Sequence, residues 1–481
     1  MADFKDIAER LAGIVGHEYI KTDPEAVNDY VVDKMEPKAV LFPENTQQVS
    51  QVVEIANSEN LSIVVRGSGS KMAMGNPPKS LALVICTSRM NKMIDVDTAN
   101  LTITVEAGVK FRDIQARLAT QEDRCYLPLE DLSTEADEEI CSDRSHSGSF
   151  LPIDPSSADT ATIGGVIAAN SSGPRRLLYN LPRDMILGVR LVTPTGAIAG
   201  AGGKTAKNVS GYDTSKLVVG SMGSLGILCE MTLKLLPLPE KMETMLISFD
   251  SFKDASELAD RVFNSRLIPA AIEVMNRTTY TSLKVEDAPE FEPDQYVVAV
   301  GLEAFHKAVN RMVNEIGKMA GTLGARSQAS FEGHAHQRFW LAVSDLDSTL
   351  AGKFLGLVKA KLNYPILEWK GIFEFSDRIL SENKIEHAIL AHAGSGICLI
   401  SLLLDQGDSA SMAKAVEVMG QLLGHSHEKG GNLVIAKAPT DVKRNLKIWG
   451  EQGTDFIIMK RLKEQLDPLG IMSPGRFVGG L

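Results

Sequence analysis

The stretch VVRGSGSKMAMG, residues 64–75, decides the fold. The apolar run LSIVVRG predicts a buried strand that leads directly into a loop of glycine and serine. Glycines let successive backbone N–H groups turn into one concavity, and serine hydroxyls add donors, so the loop can form a nest for a pyrophosphate. An ordinary Gly/Ser turn is the alternative. The dinucleotide-binding spacing GxGxxG is absent, because residue 72 is methionine.

The residues around this loop alternate between strand and helix patterns. A helix with an apolar stripe is predicted over 46–60, with Thr46 as its N-cap. Another helix is predicted over 111–119, and an amphipathic helix over 1–16. Three short runs are rich in strand-forming residues, PKAVLFP, LALVICTS and NLTITVEAG. These patterns indicate a compact α/β unit.

A second motif, PIDPSSADTATIGGVIAANSSGPRRLLYNLPRDMILG, covers residues 152–188. Gly164-Gly165 lets the backbone approach a ligand closely, and Asn-Ser-Ser-Gly at 170–173 adds donors and acceptors. Arg175-Arg176 lies beside them. A glycine-rich connection between two sheet layers is the alternative. The length of the run and its Gly, Ser and Thr content favour ligand binding.

The third motif, at 202–239, contains glycines that interrupt apolar segments expected to form strands. PLPEK at 237–241 is typical of a linker. After it, LISFDSFKDASELADRVF and YVVAVGLEAFHKAVNRMVNEIGKM predict strand–helix units of a second α+β domain. We therefore predict a first domain at 1–240, a second at 241–446, and a C-terminal segment at 447–481 that returns to the first.

Bulk composition limits the class of protein. The 481 residues carry a net charge of −11, which disfavours a nucleic-acid surface because such a surface needs a basic face. A small anionic substrate stays possible, since local arginines or lysines can lie on an acidic protein. There is no run of 18 apolar residues and no signal-peptide core. We expect a soluble cytoplasmic protein that reaches a membrane only through partners.

The cysteines indicate a reducing compartment. There are five, with no CxxC spacing, so neither a disulfide framework nor an iron–sulfur cluster held by this chain alone is expected. The acidic stretch at 130–149 predicts a solvated loop or disordered insertion, with a partner-docking loop as the alternative.

The order of these motifs resembles the vanillyl-alcohol-oxidase-type FAD-binding superfamily over nearly the whole chain. More narrowly, the sequence is similar to the FAD-binding subunits of glycolate oxidase, which are relatives of D-lactate dehydrogenases. The resemblance implies an α+β fold, in which a two-subdomain FAD-binding domain is followed by an α+β cap domain. It also implies FAD as the cofactor. Covalent attachment in this superfamily usually uses a histidine in the first loop, and residues 64–75 have none, so the FAD is expected to be non-covalent.

The resemblance also implies cofactor contacts spread over the three motifs. The implied contacts are Arg66, Gly67, Ser68, Gly69, Ser70 and Lys71 for the pyrophosphate, Pro152, Asp154, Thr162, Ile163 and Gly165 for the flavin and ribityl chain, Ser172 and Gly173 further along, and Gly226 and Ile227 for the adenine side or flavin edge. The tail around Pro474 is expected to fold back onto this domain. Met222 and Ser473 stand where relatives often have Glu and Asn, which weakens the implied contacts at these two positions.

The catalytic motifs of metal-dependent relatives are broken in this chain. The family pattern HxGDGNxH reads HAGSGICLI at 392–400, so that His392 remains and Leu399 replaces the second histidine. The later GEHG pattern corresponds to GGNLVIAKAP at 430–439, without its Glu and His. The family's metal site is therefore not expected. His392 is a candidate base or substrate ligand, and a hydrogen-bonded histidine at a strand end is the alternative.

Other polar residues are weaker candidates. His425 and His427 are predicted at a helix end, two residues apart and so not on one face. His334 and His336 would share a face if EGHAHQRFW were a strand, but we expect a solvated pair. Lys437 and Arg338 are weak candidates for binding a carboxylate, and a surface role is expected for each.

The leading hypothesis is an FAD-binding subunit of a glycolate or D-lactate dehydrogenase complex. Its expected partners are a catalytic, FAD-containing paralogous subunit and an iron–sulfur subunit, with a small 2-hydroxy acid as the ultimate substrate. A second hypothesis is a self-sufficient FAD-dependent 2-hydroxy-acid dehydrogenase with a metal-free site around His392. A third is a scaffold subunit that has lost its flavin.

Overall fold

The computed structural model describes residues 3–119, 125–131, 148–204, 212–283, 285, 291–405 and 408–481. It has the α+β architecture expected from the sequence. Helices and strands alternate irregularly, and the strands form separate sheets. The acidic insertion lies mostly outside the described residues, as does the part of the third motif at 205–211. No helix in the described ranges is long and apolar enough to cross a membrane.

The N-terminal half is built from short strands and helices. In chain order its strands are β1 (Ile20–Lys21), β2 (Ala39–Leu41), β3 (Ile63–Arg66), β4 (Leu83–Cys86), β5 (Met93–Asp97), β6 (Thr102–Glu106), β7 (Ser149–Phe150), β8 (Ile186–Val192), β9 (Ile198–Gly202), β10 (Ile227–Lys234) and β11 (Leu236–Pro237). Its helices are α1 (Phe4–Val15), α2 (Pro24–Val27), α3 (Thr46–Ser58), α4 (Phe111–Leu118), α5 (Ile163–Ala168), α6 (Arg176–Tyr179) and α7 (Pro182–Met185).

The first sheet has the order β1-β2-β4-β3, with β2, β4 and β3 parallel. Helices α1 and α3 cover one face with buried aliphatic side chains such as Leu11, Val49 and Val53. The N-cap of α3 is Asn45, whose side chain accepts from the amide of Gln48 at 3.0 Å. The prediction of Thr46 as N-cap was therefore wrong by one residue, since Asn45 and Thr46 are both good caps.

The second sheet is antiparallel, in the order β5-β6-β10-β8-β9. Helices α4 and α5 pack on it around buried Ile103, Phe111 and Val166. The expected linker 237–241 is partly strand, because Leu236 and Pro237 pair with Phe150 and Ser149 and a further strand begins at residue 241.

The C-terminal half contains a larger sheet. Its strands are β12 (Lys241–Phe249), β13 (Ala271–Asn276), β14 (Tyr296–Ala304), β15 (Ser327–Glu332), β16 (Val358–Asn363), β17 (His387–His392), β18 (Ile397–Leu402) and β19 (Asn432–Lys437). Its helices are α8 (Phe252–Phe263), α9 (Arg277–Ser282), α10 (His306–Thr322), α11 (His334–Ser344), α12 (Leu346–Lys353), α13 (Trp369–Glu382), α14 (Ser409–Glu428), α15 (Thr440–Lys443) and α16 (Phe456–Leu466).

These strands pair antiparallel in the order β15-β12-β14-β13-β17-β18-β16-β19. Helices α8, α10, α13 and α14 cover one face with an aliphatic and aromatic core. Helices α11 and α12 cover only part of the other face, where Phe339, Trp340 and Leu350 are buried. The uncovered part of this second sheet face is directed toward the N-terminal half. The domain limits at 240 and 446 stay a proposal.

The C-terminal tail returns to the first sheet, next to the glycine-rich loop. The amide of Ile63 donates to the carbonyl of Ile471 at 2.7 Å, and the amide of Ser473 donates to the carbonyl of Ile63 at 2.7 Å. Buried Lys463 donates to the carboxylate of Asp467 and to the carbonyls of Ser224 and Met472. The tail therefore extends the sheet edge from which the loop leaves.

A buried polar network joins the two halves. The Nε of Arg175 lies 2.7 Å from a carboxylate oxygen of Glu303, with the two side chains 3% and 0% exposed. The Tyr179 hydroxyl donates to the same carboxylate at 2.6 Å. His336 lies 3.1 Å from the Arg175 guanidinium and 2.9 Å from the Thr244 hydroxyl. The Arg175 charge lowers the pKa of Glu303 to about 2 despite its burial.

We expect Glu303→Gln to lower the free energy of unfolding by about 3–5 kcal/mol, because Arg175 would keep its charge in a buried site without its ion-pair partner. Urea denaturation followed by circular dichroism measures it. The matched control is Asp250→Asn, which breaks an exposed pair with Arg326 and should change stability little. Equal effects of the two substitutions would contradict the role of the network.

Candidate functional site

A cleft of about 750 Å³ opens beside the glycine-rich loop. It lies between this loop, the start of α5, and the segment before β10. Its walls are small residues, and its lining consists of Val65, Gly67, Ser68, Gly69, Ser70, Lys71, Met72, Thr87, Ala107, Thr162, Gly164, Gly165, Ala168, Ala169, Ser221, Met222, Gly223, Gly226, Leu228 and Arg476. These lining residues include no carboxylate and no Cys, His or Tyr side chain.

The glycine-rich loop presents free backbone donors. In the described residues, the amides of 68–71 donate no hydrogen bond. Gly69 adopts φ +91°, a left-handed conformation that glycine tolerates. Arg66 does not line the cleft. Its guanidinium donates to the carbonyl of Asp29 at 2.5 Å and stacks on the Tyr30 ring. Arg66 therefore stabilises the start of the loop from the side away from the cleft.

Arg476 is a residue of the cleft that the sequence analysis missed. Its NH2 group donates at 2.7 Å to the carbonyls of both Met72 and Met74, which fixes the far side of the loop. The Nε atom is buried without a hydrogen-bond partner in the described part of the chain. The motif SPGRF could have predicted this residue, because an arginine in a tail expected to return to the cofactor domain is suited to binding an anion.

Two glycines in the walls are fixed by close packing. A Cβ on Gly67 would lie 1.9 Å from Thr162 Oγ1, and a Cβ on Gly164 would lie 2.7 Å from Ala107 Cβ. The Thr162 hydroxyl in turn caps α5 by accepting from the Gly165 amide. The loop and the helix start therefore approach each other as closely as backbone allows.

Several residues implied by the resemblance lie behind the cleft rather than on its surface. Pro152, Ile163 and Ile227 are buried and do not line it. The Asp154 carboxylate accepts from the amides of Gly173 and Arg175 at 2.6 and 2.8 Å, so it shapes the 170–176 turn. Their proposed contacts with the cofactor stay predictions.

Met222 and Ser473, the two departures from the family pattern, meet at the cleft. Both have positive φ, of +54° and +47°. The Ser473 hydroxyl donates to the Met222 carbonyl at 3.2 Å. This hydrogen bond links the segment before β10 to the C-terminal tail. Because its acceptor is a backbone carbonyl, it does not depend on the side chain at residue 222.

A second cavity of about 1300 Å³ adjoins the first, with Ser70, Lys71 and Ala169 lining both. Its floor is the open face of the large sheet. The floor residues on β16, β17, β18 and β19 are Lys359, Lys361, Ala388, Leu390, His392, Leu399, Ser401, Ala436 and Lys437. Its roof is the 170–174 turn with Arg176. The two cavities form one continuous space between the halves of the chain.

The second cavity is strongly cationic. Lys71, Arg176, Lys359, Lys361 and Lys437 line it, against one carboxylate, Asp347, among its described lining residues. Burial and the nearby positive charges of Arg176 and Lys359 lower the pKa of Lys361 to about 7. Such a cavity favours an anionic ligand, because an anion relieves repulsion among the cations.

His392 ends β17 and forms a buried pair with Glu273 of β13. Its Nδ1 lies 2.8 and 2.7 Å from the two carboxylate oxygens. Burial and the charges of Arg176 and Lys361 lower the pKa of His392. Burial also raises the pKa of Glu273. With Glu273 ionised and the ring neutral, Nδ1 donates to the carboxylate, and Nε2, which has no partner in the described ranges, keeps a lone pair. This arrangement suits a general base whose orientation is fixed by a carboxylate.

The remaining histidine predictions have mixed outcomes. His425 and His427 lie in α14, as expected. His336 is not solvated. It lies in α11, fully buried in the Arg175–Glu303 network, because its helix packs against the large sheet. The Nδ1 atom of His334 contacts the Glu130 carboxylate near the surface.

Arg338 and Lys437, the two weak candidates for binding a carboxylate, occupy different environments in the structure. Arg338 is 26% exposed and pairs with Asp131, as a surface residue would. Lys437 faces the second cavity. The expectation of a surface role for Lys437 was therefore wrong, because β19 is the strand that closes the cavity floor. The described residues contain no cluster of three or more His, Cys, Asp or Glu side chains that could hold a metal.

Two family descriptions match the chain over most of its length. "FAD binding domain" matches residues 37–132 and 142–215, and "FAD linked oxidases, C-terminal domain" matches residues 238–477. The chain belongs to the FAD-linked oxidases. Its cofactor is accordingly FAD, and it is an oxidoreductase.

Curated relatives of this FAD-linked oxidase cover it almost completely. The glycolate oxidase subunit GlcD of Bacillus subtilis (strain 168) is 28% identical, over 98% of this chain and 96% of the relative. A D-lactate dehydrogenase of Archaeoglobus fulgidus is 27% identical, over 95% of this chain and 93% of the relative. GlcD of Escherichia coli (strain K12) is 24% identical, over 96% and 89%.

Solved structures share the fold. p-Cresol methylhydroxylase with substrate bound has a TM-score of 0.73 at 16% identity, covering 98% of this chain and 96% of that one. The 4-ethylphenol oxidase from Gulosibacter chungangensis has a TM-score of 0.72 at 17% identity, with the same coverage. These likenesses confirm the predicted vanillyl-alcohol-oxidase-type fold.

The first cleft fits FAD. The free amides of 68–71 suit the pyrophosphate, because consecutive N–H groups bind anions. The buried, unpaired Nε of Arg476 offers a further donor. The walls of glycine, alanine and serine leave room for flat rings against backbone. Lys71 lines both cavities. Its amine donates to the Ser156 hydroxyl in the second cavity, so its predicted contact with the pyrophosphate stays a prediction.

We expect Gly67→Ala to lose most of its FAD on purification, because the added methyl group would displace Thr162 and open the helix cap beside the cleft. The ratio of flavin absorbance to protein absorbance measures the loss. The control is Gly321→Ala in α10, where the added methyl group meets no atom within 4 Å. Full flavin content in Gly67→Ala would show that the cofactor does not depend on this contact.

Proposed function

We propose that this chain is a dehydrogenase with non-covalent FAD that oxidises a small 2-hydroxy acid to the 2-oxo acid. The observation that carries the proposal is the Glu273–His392 pair on the floor of a cationic cavity that adjoins the FAD cleft. The names of the relatives, glycolate oxidase subunit and D-lactate dehydrogenase, support the same substrate class. Non-covalent binding is supported by the absence of Cys, His and Tyr among the cleft-lining residues.

The substrate carboxylate would bind beside His392 through Arg176 and Lys361. The Arg176 guanidinium is held by the carbonyls of Ser172 and Gly173, and no carboxylate of the described residues pairs with it. Lys361 has no anionic partner among the described residues either. An arginine offers two parallel N–H groups to a carboxylate, so this pair can orient the acid.

His392 would then take the hydroxyl proton at Nε2. Glu273 stabilises the imidazolium that forms, through the Nδ1–H that it already holds. FAD, when bound, accepts the hydride that leaves the hydroxyl-bearing carbon. Arg176 and Lys361 favour the developing alkoxide as well as the carboxylate, so they assist the same step. No metal ion is needed to polarise the substrate in this scheme.

A second candidate function is the one ranked first from the sequence, an FAD-binding subunit that passes electrons within a complex. The loss of the family's metal ligands favours it, since Leu399 stands where a histidine is expected. Its partners would be a catalytic FAD-containing paralogue and an iron–sulfur subunit. Four of the five cysteines, Cys86, Cys125, Cys229 and Cys398, are buried and separate, so a cluster would have to lie in a partner.

Anaerobic mixing of the isolated chain with glycolate or D-lactate separates the two functions. We expect rapid loss of the oxidised flavin spectrum, because the base and the carboxylate ligands belong to this chain. Flavin that stays oxidised with these acids and with 2-hydroxy acids that carry a second carboxylate or phosphate, yet is reduced by dithionite, would contradict the proposal and favour the electron-transfer subunit.

His392→Asn should lower kcat by about 10²–10⁴-fold with unchanged flavin content, because a positioned base contributes that much. The control is His17→Asn, at a side chain 74% exposed. Since the lowered pKa keeps His392 neutral, kcat of the wild type should hold until the pH falls below the usual histidine value of about 6.5. Wild-type activity in His392→Asn would show that another group is the base.

A further inference from the structure

The second cavity carries more positive charge than one carboxylate requires. Arg176 and Lys361 lie beside His392, and they suffice for a monocarboxylate. Lys359, Lys437 and Lys71 add three more ammonium groups. Because repulsion among buried cations costs stability, a fixed excess of this kind indicates a ligand that neutralises it.

The strand register separates these cations into two groups. Lys361 pairs across β16 and β18 with Leu399, which neighbours Leu390, two residues before His392. Lys359 lies two residues further along β16, about 7 Å away by strand geometry, and pairs directly with Lys437 of β19. The cavity therefore has a proximal end at His392, with Arg176 and Lys361, and a distal end at Lys359 and Lys437.

Protein carboxylates do not neutralise the distal end completely. Lys359 is ion-paired with Asp347. Lys71 donates to the Ser156 hydroxyl, with Asp345 and Asp347 nearby. Lys437 pairs with no carboxylate in the described part of the chain, although it lies directly opposite Lys359. One ammonium group at the distal end thus remains for a ligand.

We propose that the substrate is a 2-hydroxy acid with a second anionic group, a carboxylate or a phosphate, that binds at the distal end against Lys437. This inference rests on the proposed function, because it places the reacting carbon beside His392. The second anionic group of the substrate would lie two or three bonds beyond the reacting carbon. The distance between its two anionic groups would then be comparable to the distance between Lys361 and Lys359 along β16. Monocarboxylates such as glycolate fill only the proximal end.

Lys361 also makes the binding of an anionic ligand depend on pH. Lys361 faces Arg176 of the roof, Lys359 of its own strand and His392 of β17, and its pKa is lowered to about 7. Below that pH Lys361 is charged and strengthens anion binding, and above it the charge is lost. The affinity for the anionic ligand should therefore fall as the pH rises through about 7.

Calorimetric binding to the oxidised holoprotein tests the proposal without turnover. The probes are two matched pairs of 2-oxo acids: 2-oxopentanoate with 2-oxoglutarate, and hydroxypyruvate with 3-phosphohydroxypyruvate. We expect one of the two acids with a second anionic group to bind at least about tenfold more tightly than its match without that group, because a charged hydrogen bond is added. The preferred pair distinguishes a distal carboxylate from a distal phosphate.

Lys437→Met should reduce this preference about tenfold, and the matched control Lys429→Met should keep it, since Lys429 pairs with Glu368 outside the cavity. Equal affinities within both pairs, or a preference unchanged in Lys437→Met, would overturn the inference. Tighter binding of the acid with the second anionic group that depends on Lys437, together with no flavin reduction by any 2-hydroxy acid, would leave the distal anion site standing and reject the proposed function.

Discussion

The position of the cavity depends on one buried ion pair, between Arg175 and Glu303. Arg175 stands in the turn that Asp154 shapes, and its side chain crosses to the large sheet. The next residue, Arg176, points from the same turn into the cavity. The anchor between the halves of the chain and the roof of the candidate site are therefore neighbours in sequence. Any rotation of one half against the other would move Arg176 relative to His392 and strain a buried charge pair.

The two cavities divide the chemistry between backbone and side chains. The FAD cleft is made of small residues and free amides, which suits a large cofactor held over its whole length. The substrate cavity is made of long cationic side chains on a rigid sheet, on a protein whose net charge is −11. Concentrating positive charge in one cavity gives selectivity for small anions without making the whole surface basic.

The sequence predicted the cofactor cleft better than the substrate cavity. The loop at 64–75 and the Gly-Gly helix start carry local signals, because glycine is required where backbones meet. Glu273 was missed because its partner His392 is 119 residues away and only the pairing of β13 with β17 joins them. Lys359 and Lys361 alternate with apolar residues on β16, a pattern that is equally typical of a solvent-facing strand.

The most direct test of the account is a crystal structure of the chain with FAD and a bound 2-oxo acid. We expect the acid on the floor of the second cavity, with its carboxylate between Arg176 and Lys361 and its oxo oxygen within hydrogen-bond distance of His392 Nε2. An acid bound elsewhere, or a cavity filled by the chain's own side chains while FAD is present, would contradict the claim that this chain holds the substrate.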